Sequence, residues 1–305
     1  MKWVKKGLIF KPQGDLDWMA SHATIPVAEN RGGDLYRIYF APRDRRKRSN
    51  GAYIETDITN PTKILDSSGE PVLPSGELGT FDDSGAIPCW IVNHEGVKYL
   101  YYTGYNIGVT VPFRNFIGLA ISRDGGATYH KISRAPILER NEVDPYLTVT
   151  PCVLVEDGLW RMWYASGTKW VEAVDDKPKH HYHIKYAEST DGIHWDREGV
   201  VCIDYGSPDE YAIARPCVIK DDGLYRMWYC HRGDSYRIGY AESRDGIEWV
   251  RKDDEVGMDV SDSGWDSEMI EYPFVFDHQG ERYMLYNGNG YGKTGMGLAV
   301  LDNRG

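Results

Sequence analysis

One pattern recurs five times along the chain, and this limits what it can fold into more than any single residue does. Each unit runs through an x-Pro strand start, a Gly-containing turn, an aromatic strand such as Arg161-Met162-Trp163-Tyr164 and a further strand such as Ile184-Lys185-Tyr186-Ala187-Glu188-Ser189. Aligned on the proline, the units begin at Pro26, Pro88, Pro151, Pro216 and Pro273, spaced 62, 63, 65 and 57 residues apart. The second-strand aromatics fall in register as Phe40, Tyr102, Tyr164, Tyr229 and Tyr286, and the third-strand alanines as Ala120, Ala187, Ala241 and Ala299. The first unit breaks the alanine column at Gly51-Ala52-Tyr53-Ile54.

Short strands repeated at a fixed period imply one small sheet copied around an axis, each copy covering the apolar face its neighbour leaves open. The sequence predicts an all-β, five-bladed β-propeller. The fifth unit stops one strand short, after Gly297-Leu298-Ala299-Val300-Leu301, while Trp3-Val4-Lys5-Lys6 resembles the fourth-strand segment Trp249-Val250-Arg251-Lys252. The N-terminal strand is therefore expected to complete the last blade, which limits unpaired edges. Repeats spread from end to end predict a single domain over residues 1–305.

The formal net charge of -11 opposes binding to nucleic acid or an anionic membrane. Five cysteines, Cys89, Cys152, Cys202, Cys217 and Cys230, include no C-x-x-C pair and read as reduced core residues. No apolar run approaches about 18 residues, and residues 1–10 lack a signal-peptide pattern, so a cytoplasmic location is expected. No cofactor is implied, and no calcium is predicted in the central channel. Nothing in the sequence specifies the oligomeric state.

In a propeller the starts of the first strands and the loops joining second to third strands open at one mouth, where a ligand is expected. Five positions before the proline stand Ser21, Asp83, Tyr146, Tyr211 and Glu268; two before it stand Thr24, Ala86, Val149, Ala214 and Glu271. Glu271 is the one carboxylate in a small or apolar column, which is costly unless it is paired or used.

The repeat, the Ser-x-Asp-Gly turns and the inner-strand carboxylates together resemble the five-bladed glycoside hydrolases of families 32, 43 and 130. Glu271-Tyr272-Pro273 matches the Glu-x-Pro context of the general acid in families 32 and 43. The Asp-Pro motifs of those families are absent, since Ile25, Ile87, Thr150, Arg215 and Tyr272 precede the aligned prolines. Four further segments, Trp18-Met19-Ala20-Ser21-His22, Gly79-Thr80-Phe81-Asp82-Asp83-Ser84-Gly85, Tyr211-Ala212-Ile213-Ala214-Arg215-Pro216 and Trp265-Asp266-Ser267-Glu268-Met269, resemble a bacterial group of predicted glycosyl hydrolases associated with surface-polysaccharide gene sets. The resemblance implies a glycan-processing enzyme with a carbohydrate ligand. The turns beginning at Ser122, Ser189 and Ser243 are similar to sialidase Asp-boxes and read as structural.

Glycosidic cleavage needs one protonated and one ionised carboxyl group. Asp83 and Glu268 share a column on non-adjacent blades and form the leading pair; Glu210 and Glu271 compete with them. Strand alternation argues against Glu268 and Glu271 pointing the same way. Substrate contacts are expected from His22, Arg43, Asp82, Tyr105, Arg114, Trp170, Arg215 and Arg232. The arginines suit an acidic or phosphorylated sugar, or equally the neutralisation of Asp82, Asp44 and Glu210. His180, His181 and His183 alternate in direction along a strand, so a lid over the sugar is favoured over a metal site. A phosphate-dependent phosphorylase or transferase, or a non-catalytic glycan-binding propeller, are the alternative readings.

Overall fold

The Glu95-Gly96, Asp157-Gly158, Asp222-Gly223 and Gln279-Gly280 pairs all take left-handed backbone conformations. That is the geometry of a two-residue hairpin turn matched to strand twist, and each pair joins a first strand to its second. A computed structural model describes residues 1–173 and 176–302. The chain opens with β1 (Trp3–Phe10) and then forms a meander of β2 (Ser21–Gly32), β3 (Leu35–Arg43), β4 (Ala52–Asp57) and β5 (Ile64–Ser67). A second contains β6 (Gly85–His94), β7 (Val97–Ile107), β8 (Phe113–Ser122) and β9 (His130–Lys131). The third is β10 (Thr148–Glu156), β11 (Leu159–Ala173), β12 (Asp176–Ser189) and β13 (Val201–Ile203). The fourth is β14 (Ala212–Asp221), β15 (Leu224–Arg232), β16 (Tyr236–Ser243) and β17 (Val250–Arg251), and the chain ends with β18 (Glu271–His278), β19 (Glu281–Asn287) and β20 (Met296–Leu301).

The protein is nearly all-β. Strand β1 pairs antiparallel with β20, Trp3 opposite Leu301, giving the sheet order β1-β20-β19-β18. A single parallel pair, Tyr182 with Ala212, joins the third and fourth meanders into one larger sheet. The first strands neighbour one another in the order β2, β6, β10, β14, β18, and β18 also contacts β2. No helix among the described residues is long and apolar enough to cross a membrane.

The aligned prolines mark a break in pairing register on every first strand, for instance between Val149 and Cys152 and between Ala214 and Cys217. Proline offers no ladder donor, so a bulge is where it fits. Ile25, Thr150, Arg215 and Tyr272, each directly before its proline, adopt φ of 56°, 50°, 57° and 54°. Such values are uncommon for any non-glycine residue and costly for the β-branched Ile25 and Thr150, and they persist only where the surroundings fix them. Neighbouring repeats do the fixing: the Ile25 amide donates to Asn287 Oδ1 at 2.9 Å, Thr150 to Thr103 Oγ1 at 3.0 Å and Arg215 to Thr150 Oγ1 at 3.1 Å.

The second-strand rings Phe40, Tyr102, Tyr164, Tyr229 and Tyr286 are all fully buried, as are Trp163 and Trp228. The tyrosine hydroxyls organise a recurring polar network. Tyr102 donates to Asp82 at 3.0 Å, Tyr164 to Asp144 at 2.9 Å and Tyr286 to Asp266 at 3.0 Å. A cation completes each: Lys131 at 2.5 Å from Asp82, Arg197 at 2.9 Å from Asp144 and Lys5 at 2.8 Å from Asp266. The fourth repeat divides the task, with Arg251 bridging Glu210 at 2.7 Å and Asp253 at 2.6 Å, the latter accepting from Tyr229. The first repeat carries Phe40 at the tyrosine position. Buried carboxylates thus tie the lead-in of a first strand to the outermost strand of its sheet, or in the third repeat to Arg197 in the loop before β13, with their desolvation offset by paired charge and hydrogen bonds. All five cysteines are free and buried.

Candidate functional site

Register places the leading end of each first strand beside the trailing end of its second: Ser21 faces Arg43, Gly85 faces Tyr105, Ala212 faces Arg232 and Glu271 faces Asn287. The expected mouth residues therefore lie at one end of their sheets. Five side chains near that end differ most in their surroundings: Glu271, Asp83, Arg43, Arg232 and Tyr291.

Glu271, the first residue of β18, is fully buried, and neither carboxyl oxygen has a hydrogen-bond partner. The Tyr291 backbone N–H acts on the carboxyl and opposes its rise. Burial drives the carboxyl well above its ordinary range, against the opposing charges of Arg232 and Arg43. Burial thus favours the protonated form of this carboxyl. Around it lie Tyr182, Tyr272, Cys230 and Tyr291.

Asp83 is the opposite case. Its oxygens accept from Asn106 Nδ2 at 2.8 Å, Ser84 Oγ at 2.8 Å and the Gly79 amide at 3.0 Å. Burial alone would raise this carboxyl, but those hydrogen bonds outweigh it and keep the group below its usual range. Of these two carboxyls, one is pushed toward the neutral form and the other toward the ionised form.

Arg232 donates to the Tyr291 hydroxyl at 2.6 Å and lies 5.4 Å from the Tyr211 and Tyr236 ring centres. The loop supplying Tyr291 passes through consecutive left-handed residues, Gly290 and Tyr291, with φ of 68° and 62°. His22, also left-handed at φ 63°, shares a 2.8 Å hydrogen bond with Ser21 Oγ. Burial, then the charges of Arg43 and Lys293, lower it to about 4, so its ring is neutral at pH 7. Trp170 packs edge-on against Phe113 and His180, and His180 stacks on Tyr182 at 4.7 Å. On the other face of β12, His183 meets Asp204 and His181 packs on Tyr205 and Tyr211. No group of three metal-ligating side chains forms among the described residues.

The remaining expected residues are distributed differently. Glu268 is exposed, and only its backbone is held, by Asn289 Oδ1 at 2.8 Å and Arg237 at 3.1 Å. Asp82 and Glu210 belong to the Tyr–carboxylate–cation networks, Glu210 also accepting from His231 at 2.7 Å. Arg215 is fully buried and donates to backbone carbonyls of two other repeats. Tyr105 donates to the Lys47 carbonyl at 2.7 Å, and Arg114 is exposed. Tyr182, Tyr211, Tyr236 and Tyr291 were not singled out from sequence. For Tyr291 the available signal was its glycine-rich tract, Gly288-Asn289-Gly290-Tyr291-Gly292.

No family model matches the chain. Among solved structures, a glycoside hydrolase superposes with TM-score 0.76 at 17% identity, covering 99% of this chain and 92% of its own. A thermostable family-43 glycoside hydrolase gives 0.69 at 16% identity, covering 93% and 91%. A Bombyx mori family 32 beta-fructofuranosidase, solved in complex with sucrose, gives 0.61 at 14% identity, covering 92% of this chain and 61% of that one. At these identities the likeness establishes the propeller glycoside hydrolase fold alone. Two Mycobacterium tuberculosis proteins, Uncharacterized protein MT1551 of strain CDC 1551 and Uncharacterized protein Rv1502 of strain H37Rv, are each 48% identical over 303 residues, 99% of this chain and 100% of theirs. The chain belongs to the family of these two mycobacterial proteins.

Proposed function

We propose that the protein is a glycan-processing enzyme of glycoside hydrolase type, with its site at one mouth of a five-bladed β-propeller. The five meanders, the β1–β20 pairing and the return of β18 to β2 support that blade count. The observation that carries the chemistry is Glu271, a buried carboxyl without partners at the head of a first strand in a Glu-x-Pro context.

In this reading Glu271 gives its proton to the leaving glycosidic oxygen as the C–O bond breaks. Asp83, ionised, either attacks the anomeric carbon or takes the proton of the water that adds there. Glu268, exposed and with nothing to retain a proton on it, is the less suitable acid. Since Glu271 is sealed from solvent, the Tyr291 loop that caps it opens to admit the sugar.

The test is hydrolysis of a panel of bacterial polysaccharides followed by reducing-end release. Glu271→Gln and Asp83→Asn are expected to lose on the order of 100-fold or more in rate with unchanged circular dichroism. Wild-type rates in Glu271→Gln would remove this assignment.

A further inference from the structure

Half-buried arginines elsewhere in this acidic chain are paired: Arg37 with Glu55 at 2.7 Å, Arg197 with Asp144 at 2.9 Å and Arg282 with Asp277 at 2.7 Å. Arg43 and Arg232 are half-buried too, yet among the described residues neither has a carboxylate within ion-pair distance. They occupy equivalent places at the ends of β3 and β15, and the charges of both act on Glu271. Glu271, whose protonated form burial favours, makes no hydrogen bond or ion pair to either of them. His22, beside Arg43, is neutral and neither adds to the positive charge nor offsets it. Besides a long 3.4 Å bond from its Nε to the Asp234 carbonyl, Arg232 has the tyrosine faces and the single hydroxyl of Tyr291 to replace its lost hydration. A partly desolvated guanidinium without an anion is unfavourable, and its planar fork is shaped for two oxygens of one group.

We propose that Arg43 and Arg232 form a subsite for an oxyanion, a carboxylate or phosphate group carried by the sugar, and that the Tyr291 hydroxyl stands where one ligand oxygen binds. This rests on the mouth being the sugar site and names the substrate class it takes. Binding of the oxyanion displaces Tyr291 from Arg232 and so uncovers Glu271. A neutral sugar has no group to compete for Arg232, and it leaves the acid covered.

Isothermal titration calorimetry at low ionic strength tests the proposal without requiring turnover, using D-glucuronate, inorganic phosphate and D-glucose as probes. Wild type is expected to bind at least one anion with Kd of about 1 mM or tighter, and to lose heat as salt is added. D-glucose gives none. Arg43→Met and Arg232→Met each weaken binding about tenfold or more, the equivalent of one charge-assisted hydrogen bond. Arg123→Met, in an exposed turn, leaves it unchanged. Arg232→Lys keeps the charge and stem and falls between wild type and Arg232→Met, which separates lost recognition from misfolding. Binding of glucuronate alone identifies a uronic acid; binding of phosphate alone identifies a phosphorylated sugar or phosphate as co-substrate. If neither anion binds, or both methionine variants bind as wild type does, the subsite is refuted. An enzyme that cleaves neutral glycans through Glu271 would sink this proposal and leave the catalytic one standing.

Discussion

Arg215 donates to the Cys89 carbonyl at 2.8 Å, reaching from the fourth repeat to the second, while its other terminal nitrogen donates to the Pro26 carbonyl of the first at 3.1 Å. The guanidinium is fully buried, with the Phe274 ring of the fifth repeat 5.7 Å away and no ion-pair partner among the described residues. One side chain therefore joins first strands that are remote in sequence, and it does so where each of them bulges.

Arg215→Met removes both donors and leaves two buried carbonyls unsatisfied. It should lower unfolding stability by about 3 kcal/mol, at about 1–3 kcal/mol for each buried group left unmade. Urea denaturation followed by tryptophan fluorescence measures this. A midpoint within error of wild type would mean that the arginine is incidental to how the repeats join.

The Tyr102–Asp82–Lys131 network makes a second, separable claim. Lys131→Met strands a buried Asp82 carboxylate with only the Tyr102 and Thr80 hydroxyls, at a cost of about 3 kcal/mol. Adding Asp82→Asn should recover part of that loss, because the stranded charge goes with it. If the double variant loses the sum of the two single changes, the residues do not act as a unit.

The blade pattern was readable because proline, lacking a donor, must sit at a break in a ladder, and because the Gly turns and buried aromatics recur in step with it. The left-handed residues before those prolines were not readable, since Ile25 and Thr150 adopt that backbone only under the hold of Asn287 and Thr103 from other repeats. Asp82 and Glu210 looked available for ligand because their partners Lys131 and Arg251 stand on two-residue outer strands whose register no spacing reveals. Glu268 is exposed and Glu271 buried, but Glu268 lies in the bend before β18, so strand alternation is not what separates them. What spacing could not show is that the buried member would be left without a partner. Tyr291 escaped column comparison because the glycine tract that bends it over Arg232 occurs in one repeat only.

Glu210 gives a pH prediction at the acid end. Burial works to raise it, but hydrogen bonds from His231, Arg251 and Gly206, with the charge of Arg251, bring it down to about 2. A carboxyl lowered in the fold stabilises fully above its unfolded value of about 4.3, and loses that contribution as pH falls toward the folded value. Wild-type stability should therefore drop between pH of about 4 and about 2 more steeply than that of Glu210→Gln. Urea midpoints taken at half-unit pH steps give the comparison, and parallel acid limbs would show that Glu210 does not titrate this way.

Glu271 has the opposite sign. Burial raises its carboxyl, so the native state keeps a proton that the unfolded chain gives up above about 4.3. Its contribution is complete below that pH and is lost as pH rises toward the folded value. Glu271→Gln cannot ionise, so it should match wild type near pH of about 4 and exceed it at neutral pH, by about 1.4 kcal/mol for each pH unit above about 4.3 over which the native carboxyl keeps its proton. Infrared spectra should show the carbonyl band of a protonated carboxylic acid in wild type at pH 7 and not in the variant. A substitution that abolishes glycan cleavage while strengthening the fold would mark Glu271 as retained for chemistry, since packing alone gives no reason to keep an acid there. If instead the stability difference were the same at both pH values, the carboxyl would not be carrying a proton in the native state and could not serve as the donor.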